Sequence, residues 1–219
     1  MQSDQVIDIC WQLDFDEFTQ IVRASKNTSP GPDGVPYSYW AKAPLEIIRV
    51  LFNLFIHLLN GGSLPVGFTD SFMVFIHKKV QKQDYIKLVR SAGDTRTLSL
   101  SNTDEKIIAK SLCTLLVRSL HRTVSPAQFG LRGTSIVDIY LQIESSSLIT
   151  AAVSDNGAVG CFDKKNAFPS LKRKYLWYLL KRLKVPPNII ALLKLLFLGC
   201  KHYVYPNYYS GLFILFGKV

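Results

Sequence analysis

The residue best placed to do chemistry in this sequence is Asp163. It follows the apolar run Ala158-Val159-Gly160-Cys161-Phe162, which reads as a buried strand, and it precedes Lys164 and Lys165. A carboxylate at the end of a buried strand needs a partner, because an unpaired buried charge is expensive and a metal cation offsets it. Phosphoryl transfer assisted by two metal ions uses such a carboxylate to bridge them. The two lysines add positive charge where a polyphosphate would approach. The plainer alternative is that Asp163 caps the next helix or closes a turn.

The elements that must position this residue can be read in order. Asp14-Phe15-Asp16-Glu17 opens a helix whose apolar face holds Phe15, Phe18, Ile21 and Val22. Ser29-Pro30-Gly31-Pro32-Asp33-Gly34-Val35-Pro36 breaks it, being too rich in Pro and Gly for helix or central strand. A second helix is predicted over 44–60, stopped by Gly61-Gly62. Residues 72–76 read as a strand running into His77-Lys78-Lys79, 81–95 as a loop or hairpin tip, and 97–100 as a short strand. Asn102-Thr103-Asp104-Glu105 caps a long helix facing inward with Ile107, Ile108, Leu112, Leu115 and Leu116. Further helices are expected over 135–146, 171–183 and 187–198, the last with Pro in its first turn. Beyond Gly199 the chain turns aromatic, with Tyr203, Tyr205, Tyr208 and Tyr209.

Composition bounds the function classes. The 219 residues are 48% hydrophobic and 12% aromatic, enough for a core and unlike a disordered tail. A formal charge of +10, from 26 Lys+Arg against 16 Asp+Glu, suits a polyanionic partner. Cys10, Cys113, Cys161 and Cys200 lie far apart with no CxxC pair, which argues against a zinc site or disulfide framework. The N-terminus lacks the pattern of a signal peptide, and the longest apolar stretches fall short of the ~20 residues a membrane span needs. An intracellular protein, nuclear or cytoplasmic and not secreted, with no membrane partner, is the expectation.

Four segments in order resemble the reverse transcriptases of non-LTR (LINE-type) retrotransposons. Residues 29–36 resemble the family's "PGPDGI" element. Ile76-His77-Lys78-Lys79, followed by Thr95-Arg96-Thr97-Leu98-Ser99-Leu100-Ser101-Asn102-Thr103, is similar to "IPKK…YRPISLLNT", and Ile107-Ile108-Ala109-Lys110 matches its "KIIAK" continuation. Gln128-Phe129-Gly130-Leu131-Arg132-Gly133 looks like "QxGFxxGR" with one residue missing. Phe162-Asp163-Lys164-Lys165-Asn166-Ala167-Phe168-Pro169-Ser170 resembles motif A, "DFxxAFDS". Leu176 to Leu180 and Val185-Pro186-Pro187-Asn188-Ile189-Ile190 echo "LLxxLGxPxxII". The likeness covers roughly residues 14–200.

The resemblance implies an α+β fold: an incomplete right-hand polymerase, fingers and the first half of the palm, with helices packed on a small mixed or antiparallel sheet. Residues 1–40 would be an N-terminal extension with the PGPDG element, 41–150 a fingers-like region and 151–219 a partial palm. Asp163 would be the catalytic ligand of Mg2+, with the Lys164 backbone carbonyl completing one metal's shell. Ala167 and Phe168 would meet the incoming dNTP, the Phe168 ring excluding a 2′-hydroxyl. Arg96, Lys78 and Lys79 would reach the triphosphate, the first as a planar donor fork. Gln128 and Arg132 would contact the RNA template or DNA primer. Gly31 and Gly34 read as turn formers rather than ligand contacts.

Three departures from the family pattern matter. Thr97 stands where the family has Pro, and Pro169 where motif A has its second Asp. No Asp-Asp dipeptide occurs in the sequence, so the "YxDD" hairpin that supplies the partner carboxylates is missing, as is "GxxQGxPLSP". One carboxylate cannot hold two magnesium ions in catalytic geometry. The chain is therefore expected to be a truncated reverse transcriptase, inactive alone. The alternative is a relic or domesticated fragment that binds RNA without catalysis.

Overall fold

In the computed structural model, residues 11–78, 94–120, 123, 136–153, 171–204 and 213–216 are described. They hold helices α1 (Phe15–Arg23), α2 (Tyr37–Lys42) and α3 (Leu45–Leu59), then strands β1 (Ser71–His77) and β2 (Thr95–Ser101). Helices α4 (Thr103–Leu120), α5 (Ile136–Val153), α6 (Arg173–Arg182) and α7 (Pro187–Leu196) follow, before β3 (Lys201–Val204) and β4 (Phe213–Phe216). The class is α+β. The chain divides into two units, Met1–Trp11 with Thr114–Val185, and Gln12–Cys113 with Pro186–Val219.

In the second unit, helix ends sit where local chemistry puts them. The Asp14 carboxylate accepts the Glu17 N–H at 2.8 Å, satisfying one of the first-turn donors of α1. At the end of α3, Gly61 takes φ +85° while Gly62 N–H donates to the His57 carbonyl at 2.9 Å, closing the last turn. The short α2 was not foreseen from the sequence. Its C-terminal carbonyls are held by one side chain, the Arg23 guanidinium, which donates to Trp40, Ala41 and Ala43. Such a six-residue helix has little stability of its own and depends on that tertiary clamp.

The core of this unit is helical. Phe18 and Val22 of α1, Ile48 and Phe55 of α3, and Ile107, Ile108 and Leu112 of α4 are fully buried. Phe15 and Phe18 meet Phe52 edge-on at 5.6 and 5.3 Å, a favoured aromatic geometry. The Arg49 guanidinium lies over the Phe15 ring at 3.7 Å, covering it from solvent while keeping its charge wet. Helix α7 packs against α3 through a face that buries Ile189, Ile190 and Leu192.

The strands form one mixed sheet of order β2-β1-β3-β4. β1 and β2 pair antiparallel, with Ile76 opposite Arg96 and Ser71 opposite Ser101. β3, near the far end of the chain, pairs parallel with β1 and puts His202 beside Ser71. β3 and β4 were not read from the sequence, because four-residue strands carry too short an alternation to register.

In the first unit, α5 continues to Val153, seven residues past its expected end, through Ser145-Ser146-Ser147. The hydroxyls of Ser145, Ser147 and Thr150 turn back onto the carbonyls four residues earlier, so the serine run is accommodated within the helix. Most of α5 is exposed, Tyr140, Leu148 and Ile149 included. The strand expected over 158–162 and much of the 81–95 loop lie outside the described residues.

Candidate functional site

Of the residues singled out from the sequence, Arg96 and Lys78 are described. Asp163, Lys164, Ala167, Phe168, Lys79, Gln128 and Arg132 lie outside the described residues. Arg96 pairs with Ile76, two residues before Lys78 on the neighbouring strand, so the pleat puts both cations on one face at the end of the β1–β2 hairpin. The Lys78 N–H donates to the Asp94 carbonyl at 2.9 Å, which extends the ladder one step beyond the strand. Both side chains are exposed. A planar donor fork beside an ammonium on one sheet face is an arrangement that holds a phosphate group.

The structure brings two of the ordered sequence segments together around Asn102. Its Oδ1 accepts the Asp33 N–H at 3.2 Å, and its Nδ2 donates to the carbonyls of Gly67 (3.2 Å) and Phe68 (3.3 Å). Next to it, the Thr103 hydroxyl donates to the Val35 carbonyl at 2.9 Å and accepts the Trp40 indole N–H at 2.8 Å. The Lys106 ammonium reaches the Ser29 carbonyl at 3.1 Å. Three pieces far apart in the chain, the 29–36 turn, the 65–70 loop and the start of α4, are therefore tied at one point by side chains that are 5% and 0% exposed at Asn102 and Thr103. Gly31 is required there: a Cβ would stand 2.4 Å from the Asn102 backbone nitrogen. Gly34 closes the turn at φ +70°, with its N–H on the Gly31 carbonyl at 3.1 Å. Both glycines serve the turn, as the sequence suggested. The role of the Asn102 side chain carries no sequence signal beyond helix capping, because its partners lie 34 to 69 residues away.

Beside this junction lies an open cavity of about 490 Å³ whose walls include Asp33, Asp70, Asp104, Phe72 and Tyr203. The Tyr203 hydroxyl donates to Asp70 at 2.9 Å, and that bond holds the phenol above its usual range. Burial lifts the Asp104 carboxyl to about 6, with Asp33 adding to the rise, and lifts neighbouring Glu105 to about 7. With three carboxylates and no cation among its lining residues, the cavity disfavours a bare phosphate group. Among the described residues no group of three His, Cys, Asp or Glu side chains could hold a metal ion.

A Ser–His contact on the other face of the sheet also went unforeseen. His202 Nδ1 lies 2.7 Å from Ser71 Oγ and 3.4 Å from Ser99 Oγ, and the two hydroxyls are 3.2 Å apart. Ser71 is 1% exposed, so no substrate reaches it as a nucleophile. The cluster satisfies a buried hydroxyl and ties β3 to β1 and β2 across 131 residues of chain. Among the described residues, no helix is long and apolar enough to cross a membrane.

No protein-family model matches the chain. The chain is similar to the Transposon TX1 uncharacterized 149 kDa protein of Xenopus laevis, 24% identical over 212 residues. The match takes in 94% of the chain but spans only 15% of that protein's length.

Proposed function

We propose that the chain derives from the reverse transcriptase region of a LINE-type retrotransposon, and that its parent reaction is RNA-directed DNA synthesis. In that reaction a primer 3′-hydroxyl attacks a deoxynucleoside triphosphate and pyrophosphate leaves. The observation that carries the reading is the ordered set of motif-like segments from Pro30 to Ser170, lying within the stretch similar to a transposon protein. Two of those segments, 29–36 and 95–106, form one hydrogen-bonded junction, which supports their being parts of one ancestral unit. In this reading Asp163 and the Lys164 backbone carbonyl are half of a magnesium site, Phe168 selects the sugar, and Arg96 with Lys78 meets the triphosphate. The 219 residues contain no Asp-Asp pair to complete the metal site, so they are inactive by themselves.

Primer extension on an RNA template with dNTPs and Mg2+ tests the proposal. The 219-residue chain alone should incorporate nothing. Joined to a downstream palm segment that carries a YxDD motif, it should incorporate, and Asp163→Asn should abolish the product. Full incorporation by the Asp163→Asn fusion would overturn the assignment.

A further inference from the structure

The charge of the chain is not spread evenly. From Lys164 to Val219 there are 11 Lys and Arg and no Asp or Glu, which leaves 15 basic and 16 acidic residues over 1–163. The whole excess of +10 therefore lies in the last quarter of the chain. Within it the densest concentration is α6 and its flanks, Lys172-Arg173-Lys174-Tyr175-Leu176-Trp177-Tyr178-Leu179-Leu180-Lys181-Arg182-Leu183-Lys184.

The fold sorts this helix into two sides. Leu180 is buried and Leu176 half-buried, both on the inner side. At 100° per residue, Lys174, Tyr178, Lys181, Arg182 and Tyr175 share the opposite arc, and all five are exposed. Tyr175 and Tyr178 are 57% and 60% exposed, so two aromatic rings stand among three cations with no packing role to explain them.

The cations at its start are badly placed for the helix itself, whereas Lys181 and Arg182 lie in its last turn, where the dipole favours them. Lys172, Arg173 and Lys174 sit at the N-terminal end, where the helix dipole is positive, and the first turn holds no acidic residue. At the other end Lys184 adopts φ +56°, the left-handed position where glycine costs least. Its N–H donates to the Lys181 carbonyl at 3.0 Å, and Val185 N–H to the Leu180 carbonyl at 3.0 Å, closing the helix by the usual glycine motif with lysine in glycine's place.

We propose that the outer face of α6 is a binding surface for single-stranded nucleic acid, with Lys174, Lys181 and Arg182 tracking the phosphates and Tyr175 and Tyr178 stacking on bases. Cations alternating with exposed rings are the pattern that binds single strands with little sequence preference. An anionic membrane is the competing polyanion. A membrane-binding helix turns its apolar side outward into the lipid, whereas here Leu180 and Leu176 face inward and the rings share the cationic side. The surface stands apart from the polymerase reading, since it needs neither metal nor triphosphate.

The test is fluorescence anisotropy of a labelled 20-nucleotide oligo(U) and oligo(dT) with the whole chain, in EDTA, across a salt series. Losing three phosphate contacts should flatten the slope of log affinity against log salt by about 2. The Lys174→Gln, Lys181→Gln, Arg182→Gln variant should therefore weaken binding by at least about tenfold at low salt and lose that slope. Tyr175→Leu with Tyr178→Leu should weaken binding about tenfold while keeping the slope, because stacking is insensitive to salt. Far-UV circular dichroism and urea midpoints verify that each variant is folded. The control Lys26→Gln, Lys42→Gln removes cations elsewhere and should change affinity little. Equal loss in that control, an unchanged slope in the triple variant, or tighter binding to phosphatidylserine vesicles than to the oligonucleotides would overturn the proposal. An inactive polymerase fusion leaves this result untouched, so the two readings fail separately.

Discussion

The junction around Asn102 and the outer face of α6 use polar side chains in opposite ways. At the junction, Asn102, Thr103 and Lys106 spend donors and acceptors on the backbone of their own chain, with Asn102 and Thr103 nearly closed to solvent. On α6, Lys174, Lys181 and Arg182 face outward from a stretch with no carboxylate in its sequence. Buried hydrogen bonds fix a fold because leaving any of them unmade is costly, whereas exposed cations cost little and remain available to a partner. The contrast separates what builds this molecule from what it presents to others.

The sharpest way to break the comparison is at Gly31. Gly31→Ala pushes a Cβ against backbone atoms of Asn102 and Ser101 that cannot rotate away, so a loss of about 3 kcal/mol in unfolding free energy is expected. Urea unfolding measures it. A change under about 0.5 kcal/mol, the scale of ordinary surface substitutions, would mean that the junction does not hold the fold together.

A second measurement sharpens the electrostatics of the same junction. Glu105 is held up to about 7 from an ordinary 4.5, mainly by burial, with Asp104 adding to it and Ser101 and Lys106 opposing. Asp104 is held up to about 6 from 3.8, again mainly by burial. A carboxyl whose folded pKa is raised gives stability that is complete below its unfolded pKa and is lost as pH rises through the folded one. Unfolding free energy should therefore fall from about pH 4 to about pH 7. Glu105→Gln should remove the upper part of that fall, leaving a curve flat above about pH 6. A pH profile identical to that of the unaltered chain would show that Glu105 is not buried as a carboxylic acid.

The smallest effect is expected on the α6 side. Lys184→Gly relieves the left-handed strain and should raise stability by about 1 kcal/mol, read as a shift of the urea midpoint. A lower midpoint would mean that the Lys184 side chain contributes packing that outweighs its backbone cost.

Much of the helical framework was legible in the sequence. Asp14 marked the start of α1, Gly61 the end of α3 and Pro187 the first turn of α7, because capping and helix termination are decided by residues a few positions apart. The apolar periodicity of residues 107–115 likewise marked the buried face of α4. Helix α5 runs seven residues past its expected end, the hydroxyls of Ser145 and Ser147 having carbonyls of the same helix to bond. The candidate site was legible as motifs and not as geometry: the order from Pro30 to Ser170 suggested a polymerase ancestry, and the cationic pair Arg96 and Lys78 became a shared face only through the strand register.

The sequence by itself determined the start of α1, the end of α3, the first turn of α7, the turn built on Gly31 and Gly34, and the excess of positive charge. Only the tertiary structure decided that Asn102 ties the turn to the 65–70 loop, that β3 returns beside β1 to meet Ser71 with His202, and that α6 buries Leu180 while leaving Tyr175 and Tyr178 exposed. The first group depends on interactions within a few residues, which local chemistry specifies. The second depends on segments up to 131 residues apart, whose meeting is settled by burial and hydrogen bonding across the whole chain.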